Sequence, residues 1–174
     1  MPMLHSKMFR FLIYLIVCLI PVLSNASQVD NRSYPIQVDG LVLKEYRAGA
    51  CQREIAATHA VFSQEKNQVQ LIQPQFVVFD QQGKTKLSLT CDSSQIHLQQ
   101  KLVEIVGNVQ LKLQDGVQLR TDYLIWDTSQ KKFSTDATVQ IIKDAHTVQG
   151  RGLESDENFT QIQIQHFMAK GNKK

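Results

Sequence analysis

Leu111-Lys112-Leu113-Gln114 alternates apolar and polar residues, and in an extended chain that alternation puts every apolar side chain on one face. The same period of two runs through Leu87-Ser88-Leu89-Thr90 and Ile162-Gln163-Ile164-Gln165. Gln, at 22 residues, fills many of the alternate positions, as in Val69-Gln70-Leu71. Past residue 34 no stretch keeps apolar residues at helical spacing for three turns. Asp39-Gly40, Gln82-Gly83, Gly107-Asn108, Asp115-Gly116 and Asp144-Ala145 read as turns between short strands. Turn signals this frequent predict an all-β domain, an antiparallel sandwich or open barrel.

A repeat of about thirty residues lies over this alternation. Ala57-Thr58-His59-Ala60-Val61-Phe62 is echoed by Cys91-Asp92-Ser93-Ser94-Gln95-Ile96, by Thr121-Asp122-Tyr123-Leu124-Ile125-Trp126, and by Gly150-Arg151-Gly152-Leu153-Glu154-Ser155. Phe62, Ile96 and Trp126 are spaced by 34 and 30 residues, and so are Val69, Val103 and Phe133. Each unit reads as a strand, a tight connection and a returning strand. Stacked units bury an apolar face that one hairpin cannot bury alone.

The amino terminus differs from the rest. Lys7 and Arg10 precede an apolar run from Phe11 to Leu23, the pattern of an export segment. Ser24-Asn25-Ala26 fits a cleavage site, whereas an uncleaved segment would anchor the chain, and the spacing leaves both open. The expected organisation is an anchor or signal over 1–26, a linker over 27–40, a β domain over 41–168 and a basic tail over 169–174.

At 43% hydrophobic and 20% charged, the 174-residue chain is neither disordered nor wholly embedded in membrane. Its net charge of +3 falls to +1 without Lys7 and Arg10, which argues against nucleic acid as a partner. His59, His97, His146 and His166 stand apart, and no phosphate loop or nucleophile motif is present, so neither an enzyme, a metal nor a cofactor is expected. Asn158-Phe159-Thr160 fits the glycosylation tripeptide, which is too common to carry weight. Cys51 and Cys91 both fall on the inward side, as a disulfide or as two buried thiols. The inward apolar face itself is either a sealed core or, with one seam open, a groove for acyl chains.

The order of these segments resembles the LptC family, the inner-membrane-anchored periplasmic components of the lipopolysaccharide export system. The resemblance is carried by residues 49–62, by Val103-Glu104-Ile105-Val106-Gly107-Asn108-Val109, by Leu119 to Asp127 with Phe133-Ser134-Thr135-Asp136, and by Val148 to Ser155. A glycine that some relatives have before the next strand is replaced by Asp136-Ala137-Thr138. The resemblance implies a twisted antiparallel β-jellyroll of repeated hairpins, LptA-like, behind one N-terminal hydrophobic helix. It implies lipopolysaccharide carried in an apolar groove, with Phe76, Val78, Leu89, Ile105, Leu111, Trp126, Ile141 and Ile164 touching the lipid. The implied partners are an inner-membrane ABC transporter and a soluble periplasmic LptA-like protein, with the chain crossing the inner membrane once and its main domain in the periplasm. Docking is expected at Gly49 and along Gln161, Ile162, Gln163, Ile164 and Phe167, by strand addition at an open edge. The alternatives are an adaptor β domain that bridges partners without lipid, and the soluble bridge protein of the same pathway.

Overall fold

A computed structural model describes residues 34–168; the expected N-terminal helix, the first half of the linker and the basic tail lie outside the described residues. Eleven strands follow one another: β1 (Ile36–Arg47), β2 (Ala50–Ser63), β3 (Gln68–Ile72), β4 (Gln75–Phe79), β5 (Thr85–Thr90), β6 (Ser93–His97), β7 (Leu102–Leu113), β8 (Gln118–Asp127), β9 (Lys132–Lys143), β10 (His146–Asp156) and β11 (Ile162–Met168). Every pairing is antiparallel. Among the described residues there is no helix long and apolar enough to cross a membrane.

The strands form one sheet in the order β11-β10-β9-β8-β7-β5-β4-β2-β3-β6, with β1 on β2 and β6 also on β7. The long strands change neighbours halfway. The first half of β2 pairs with β4 and its second half with β3. Likewise β7 pairs first with β6 and then with β5. Each long strand therefore passes through a corner and belongs to two half-sheets, whose inner faces share one core. Among the described residues, β1 and β11 are the two free edges.

The repeat read from the sequence is present as paired structure. Phe62 faces Val69, Ile96 faces Val103, Trp126 faces Phe133, and Ser155 faces Ile162, each pair seven residues apart in the chain. In each unit two residues three apart are both buried: Ala57 and Ala60, Cys91 and Ser94, Thr121 and Leu124, Gly150 and Leu153. A regular strand would send them to opposite faces, so the chain is irregular there, within β2, β8 and β10 and between β5 and β6 at Cys91-Asp92, and that irregularity forms the corner.

Two expected turns are corners instead. Gly40 and Gly107-Asn108 lie inside β1 and β7, with φ of 66°, 78° and 47°. At Gly107 a Cβ would collide with the Asp92 side chain, whose Oδ2 accepts a hydrogen bond from Asn108 Nδ2 at 2.8 Å. Left-handed residues within a strand bend it without ending it. β1 accordingly starts at Ile36, inside the segment expected to be a linker and five residues ahead of the expected domain start. Asp136-Ala137-Thr138 makes its corner without positive φ. There Thr121 Oγ1 donates to the Thr138 carbonyl at 3.0 Å and Arg151 Nε to the Asp136 carbonyl at 3.2 Å. Cys51 and Cys91 are both free; each thiol donates to the carbonyl two residues on, and burial pushes the Cys91 thiol up to about 11.

Gly150 sets how closely the last strand approaches. A Cβ there would lie 2.8 Å from the His166 carbonyl oxygen and against the Ile164 side chain. Gly150→Ala is expected to push β11 off β10 and cost about 1–3 kcal/mol, read by urea unfolding. A variant as stable as the parent would mean that β11 sits less tightly than this geometry requires.

Candidate functional site: an apolar interior between two half-sheets

Cross-strand register lines the interior with two rows that are apolar but for one serine. One row runs Ile55, Phe76, Leu89, Leu111, Leu119, Ile141, Val148 across seven strands. On the other half-sheet Val69, Ile96, Val103, Trp126, Phe133, Ser155 and Ile162 form the second. Leu89, Ile105 and Leu111 lie in the buried cluster, and Phe76, Trp126, Ile141 and Ile164 pack against it half-buried. The structure thus brings together seven of the eight expected lipid contacts. Val78 is one row nearer the strand ends, in the row Arg53, Val78, Leu87, Leu113, outside that cluster.

That outer row contains the charge that alternation missed. Glu45 pairs in register with Arg53, and their side chains form an ion pair at 3.9 Å, 11% and 18% exposed. Such a pair contributes little to stability, because desolvation offsets the attraction. It makes this end of the interior polar.

The expected docking residues fall into two places. Gly49 (φ 82°), with Ala48 (φ 48°), makes the two-residue turn joining β1 and β2; positive φ at both positions suits a hairpin whose second residue is glycine. Ile162, Gln163, Ile164 and Phe167 lie on β11, at the opposite end of the strand order, and Gln161 immediately precedes it. The structure does not bring Gly49 to the others. Ile162 and Ile164 turn inward, whereas Phe167 is 64% exposed beside Met168.

Outside, the glutamines and histidines do structural work. Gln95 Nε2 donates to Gln68 Oε1 at 2.9 Å, Gln68 Nε2 meets His97 Nδ1 at 3.1 Å, and His97 Nε2 meets Glu104 Oε1 at 3.1 Å, a ladder across β3, β6 and β7. His59 pairs with Asp39 at 2.6 Å.

The turns are tied by aspartates. Asp80 accepts from the Lys84 N–H, Asp115 from Lys143, and Asp127 from the Ser129 hydroxyl and Gln130 N–H, and these bonds hold all three below the usual carboxylate range. At Asp156 burial pushes upward, but the Gln161 N–H and Thr160 hydroxyl outweigh it and the carboxyl ends lowered. A depressed folded pKa stabilises above the unfolded value and loses that contribution as pH falls through the folded one. The thermal midpoint is expected to hold down to about pH 4 and fall below it; an unchanged midpoint at pH 3 would contradict these bonds.

The described residues thus define an antiparallel β-jellyroll with an apolar interior, free at both edges. Compared with known families, residues 8–166 match the LptC family, described as lipopolysaccharide-assembly, LptC-related. The chain belongs to the LptC family and is a lipopolysaccharide transport component. Among solved structures it is similar to LptH of Pseudomonas aeruginosa, the LptA-homologous periplasmic component of the lipopolysaccharide transport device, at a TM-score of 0.51 and 10% identity over 64% of this chain and 80% of that one. That likeness establishes the shared fold. No curated protein matches the chain by sequence.

Proposed function

We propose that the chain holds the acyl part of lipopolysaccharide between its half-sheets, receives it from an inner-membrane ABC transporter, and passes it through β11 to a soluble periplasmic LptA-like protein. The observation that carries this reading is the pair of rows, apolar but for Ser155, which run from strand to strand towards the free edges, the second reaching β11 at Ile162. A row continuous across an edge would continue into a partner of the same fold docked by strand addition. Acyl chains fit such rows, because each buried methylene contributes about 0.8 kcal/mol. Residues 1–26, with Lys7 and Arg10 before the apolar run, would hold the domain at the inner membrane.

Photocrosslinking in cells tests the carrier role, with the reactive residue at Leu113, inward and half-buried, and at Lys112, outward and exposed. Lipopolysaccharide adducts at Leu113 and none at Lys112 are expected. Adducts at neither position in a correctly exported chain would remove the carrier reading and leave a bridging β domain.

A further inference from the structure

Among the described residues, Phe159 is the one large apolar side chain that a turn contributes to the buried core. It sits between β10 and β11, 7% exposed, with φ of 55°, a backbone conformation that bulky residues rarely hold. Its ring centroid is 4.8 Å from that of Phe133, which in turn stacks on Trp126 at 5.4 Å.

The repeat does not require this residue. Four positions past the landmarks Phe62, Ile96 and Trp126, the other three hairpins carry Lys66, Gln100 and Gln130, all exposed. The left-handed residue of those turns is Asn67, Lys101 or Lys131, one position later than Phe159 in the fourth. The fourth landmark is Ser155, buried but small. Where three hairpins present a large side chain from a strand, the fourth presents serine there and fills the interior from its turn.

The turn is fastened from outside by polar contacts. Lys86 Nζ donates to Asn158 Oδ1 at 2.8 Å, and Lys131 pairs with Glu157 at 3.5 Å. Lys86 belongs to β5, which shares no ladder with β10 or β11, so the Lys86–Asn158 bond joins strands that backbone pairing leaves separate. Exposed bonds of this kind are weak and readily exchanged for water.

We propose that the space filled by Phe159 is an acyl-chain subsite, and that Phe159 is its internal placeholder, displaced when a saturated chain enters and the turn swings outward. The proposal rests on the carrier reading and specifies where a chain lodges. Displacement needs no rearrangement of a strand, exchanges one apolar occupant for another, and relieves the left-handed backbone at Phe159. It also places the first lodged chain beside β11.

The test uses the full chain in nanodiscs, titrated with purified lipopolysaccharide and, as control, with its polysaccharide stripped of acyl chains. Removing the placeholder spares the lipid its displacement, so Phe159→Ala is expected to bind lipopolysaccharide about tenfold more tightly than the parent. Asn158→Ala, which cuts only the exposed bond, is expected to tighten binding about threefold. The stripped polysaccharide is expected not to bind. Trp126, the only tryptophan, reports through Phe133, and its emission is expected to change on loading of the parent. Affinity equal to or weaker than the parent's in a folded Phe159→Ala protein would make Phe159 purely structural and overturn the proposal. Should that variant not fold, unchanged affinity in Asn158→Ala overturns it. If the parent itself binds no lipopolysaccharide, the carrier reading fails and takes the subsite with it; binding by the parent without tightening in the variants removes the subsite alone.

Discussion

Leu111→Asp is expected to unfold the domain rather than merely empty a groove. Leu111 has no exposed surface and sits mid-row, facing Leu89 on β5 and Leu119 on β8. Deleting such a side chain to alanine costs about 2–5 kcal/mol through lost transfer energy and the cavity left behind. Aspartate adds a carboxylate with no cation in the neighbouring cross-strand positions, and burying it unpaired adds at least a few kcal/mol more. Together these rival the about 5–15 kcal/mol that holds a domain of this size folded. Circular dichroism and urea unfolding of the purified variant should show little or no cooperative transition. A cooperatively folded Leu111→Asp protein of near-parental stability would mean that water reaches the middle of the row. Leu113, two residues on, is half-buried and is the better position from which to probe for lipid.

The strands were legible because period-two alternation is a direct consequence of having one wet and one dry face. The repeat was legible for a further reason: Phe62 with Val69, Ile96 with Val103 and Trp126 with Phe133 are cross-strand neighbours, so equal spacings in the chain are equal hairpins in space. Corners were not legible. Gly107-Asn108 has the composition of a hairpin turn, and only the hydrogen-bonding partners on either side reveal that β7 continues through it. The same ambiguity at Asp39-Gly40 hid the first five residues of β1.

Alternation assigns a face to each residue, which is why Phe76, Leu89, Ile105, Leu111, Trp126, Ile141 and Ile164 meet inside. It cannot distinguish a fully enclosed leucine from one near the open end of a row, since that depends on which strands become neighbours. Arg53 and Glu45 obeyed the alternation and were still overlooked, because charged residues on an inward face count as noise in such a reading. Phe159 escaped because a turn has no period. Its only sequence signal was a bulky apolar residue where the other three hairpins carry lysine or glutamine.

Blocking the free side of β11 is expected to abolish docking of the soluble partner while leaving the domain folded. Among the described residues β11 pairs only with β10, in the register Gly150–Phe167, Leu153–Ile164 and Ser155–Ile162. In an antiparallel pair every second residue bonds across the ladder, and on an edge strand the N–H groups of the others point away, unpaired. Those amides are expected to exchange rapidly with deuterium in the free chain and to become protected when an LptA-like protein is added. Proline at two of them removes two donors that the domain does not use, which an edge strand tolerates. Strand addition depends on those donors, so partner affinity should fall by at least about a hundredfold, equivalent to about 2.7 kcal/mol. The opposite edge supplies the control. β1 has its own exposed apolar residues, Val42 and Tyr46, and a matching pair of prolines on its free side should leave this partner's affinity unchanged. If the β1 prolines abolish binding and the β11 prolines do not, the docking assignment passes from the last strand to the first, and the direction in which lipid crosses the row reverses with it.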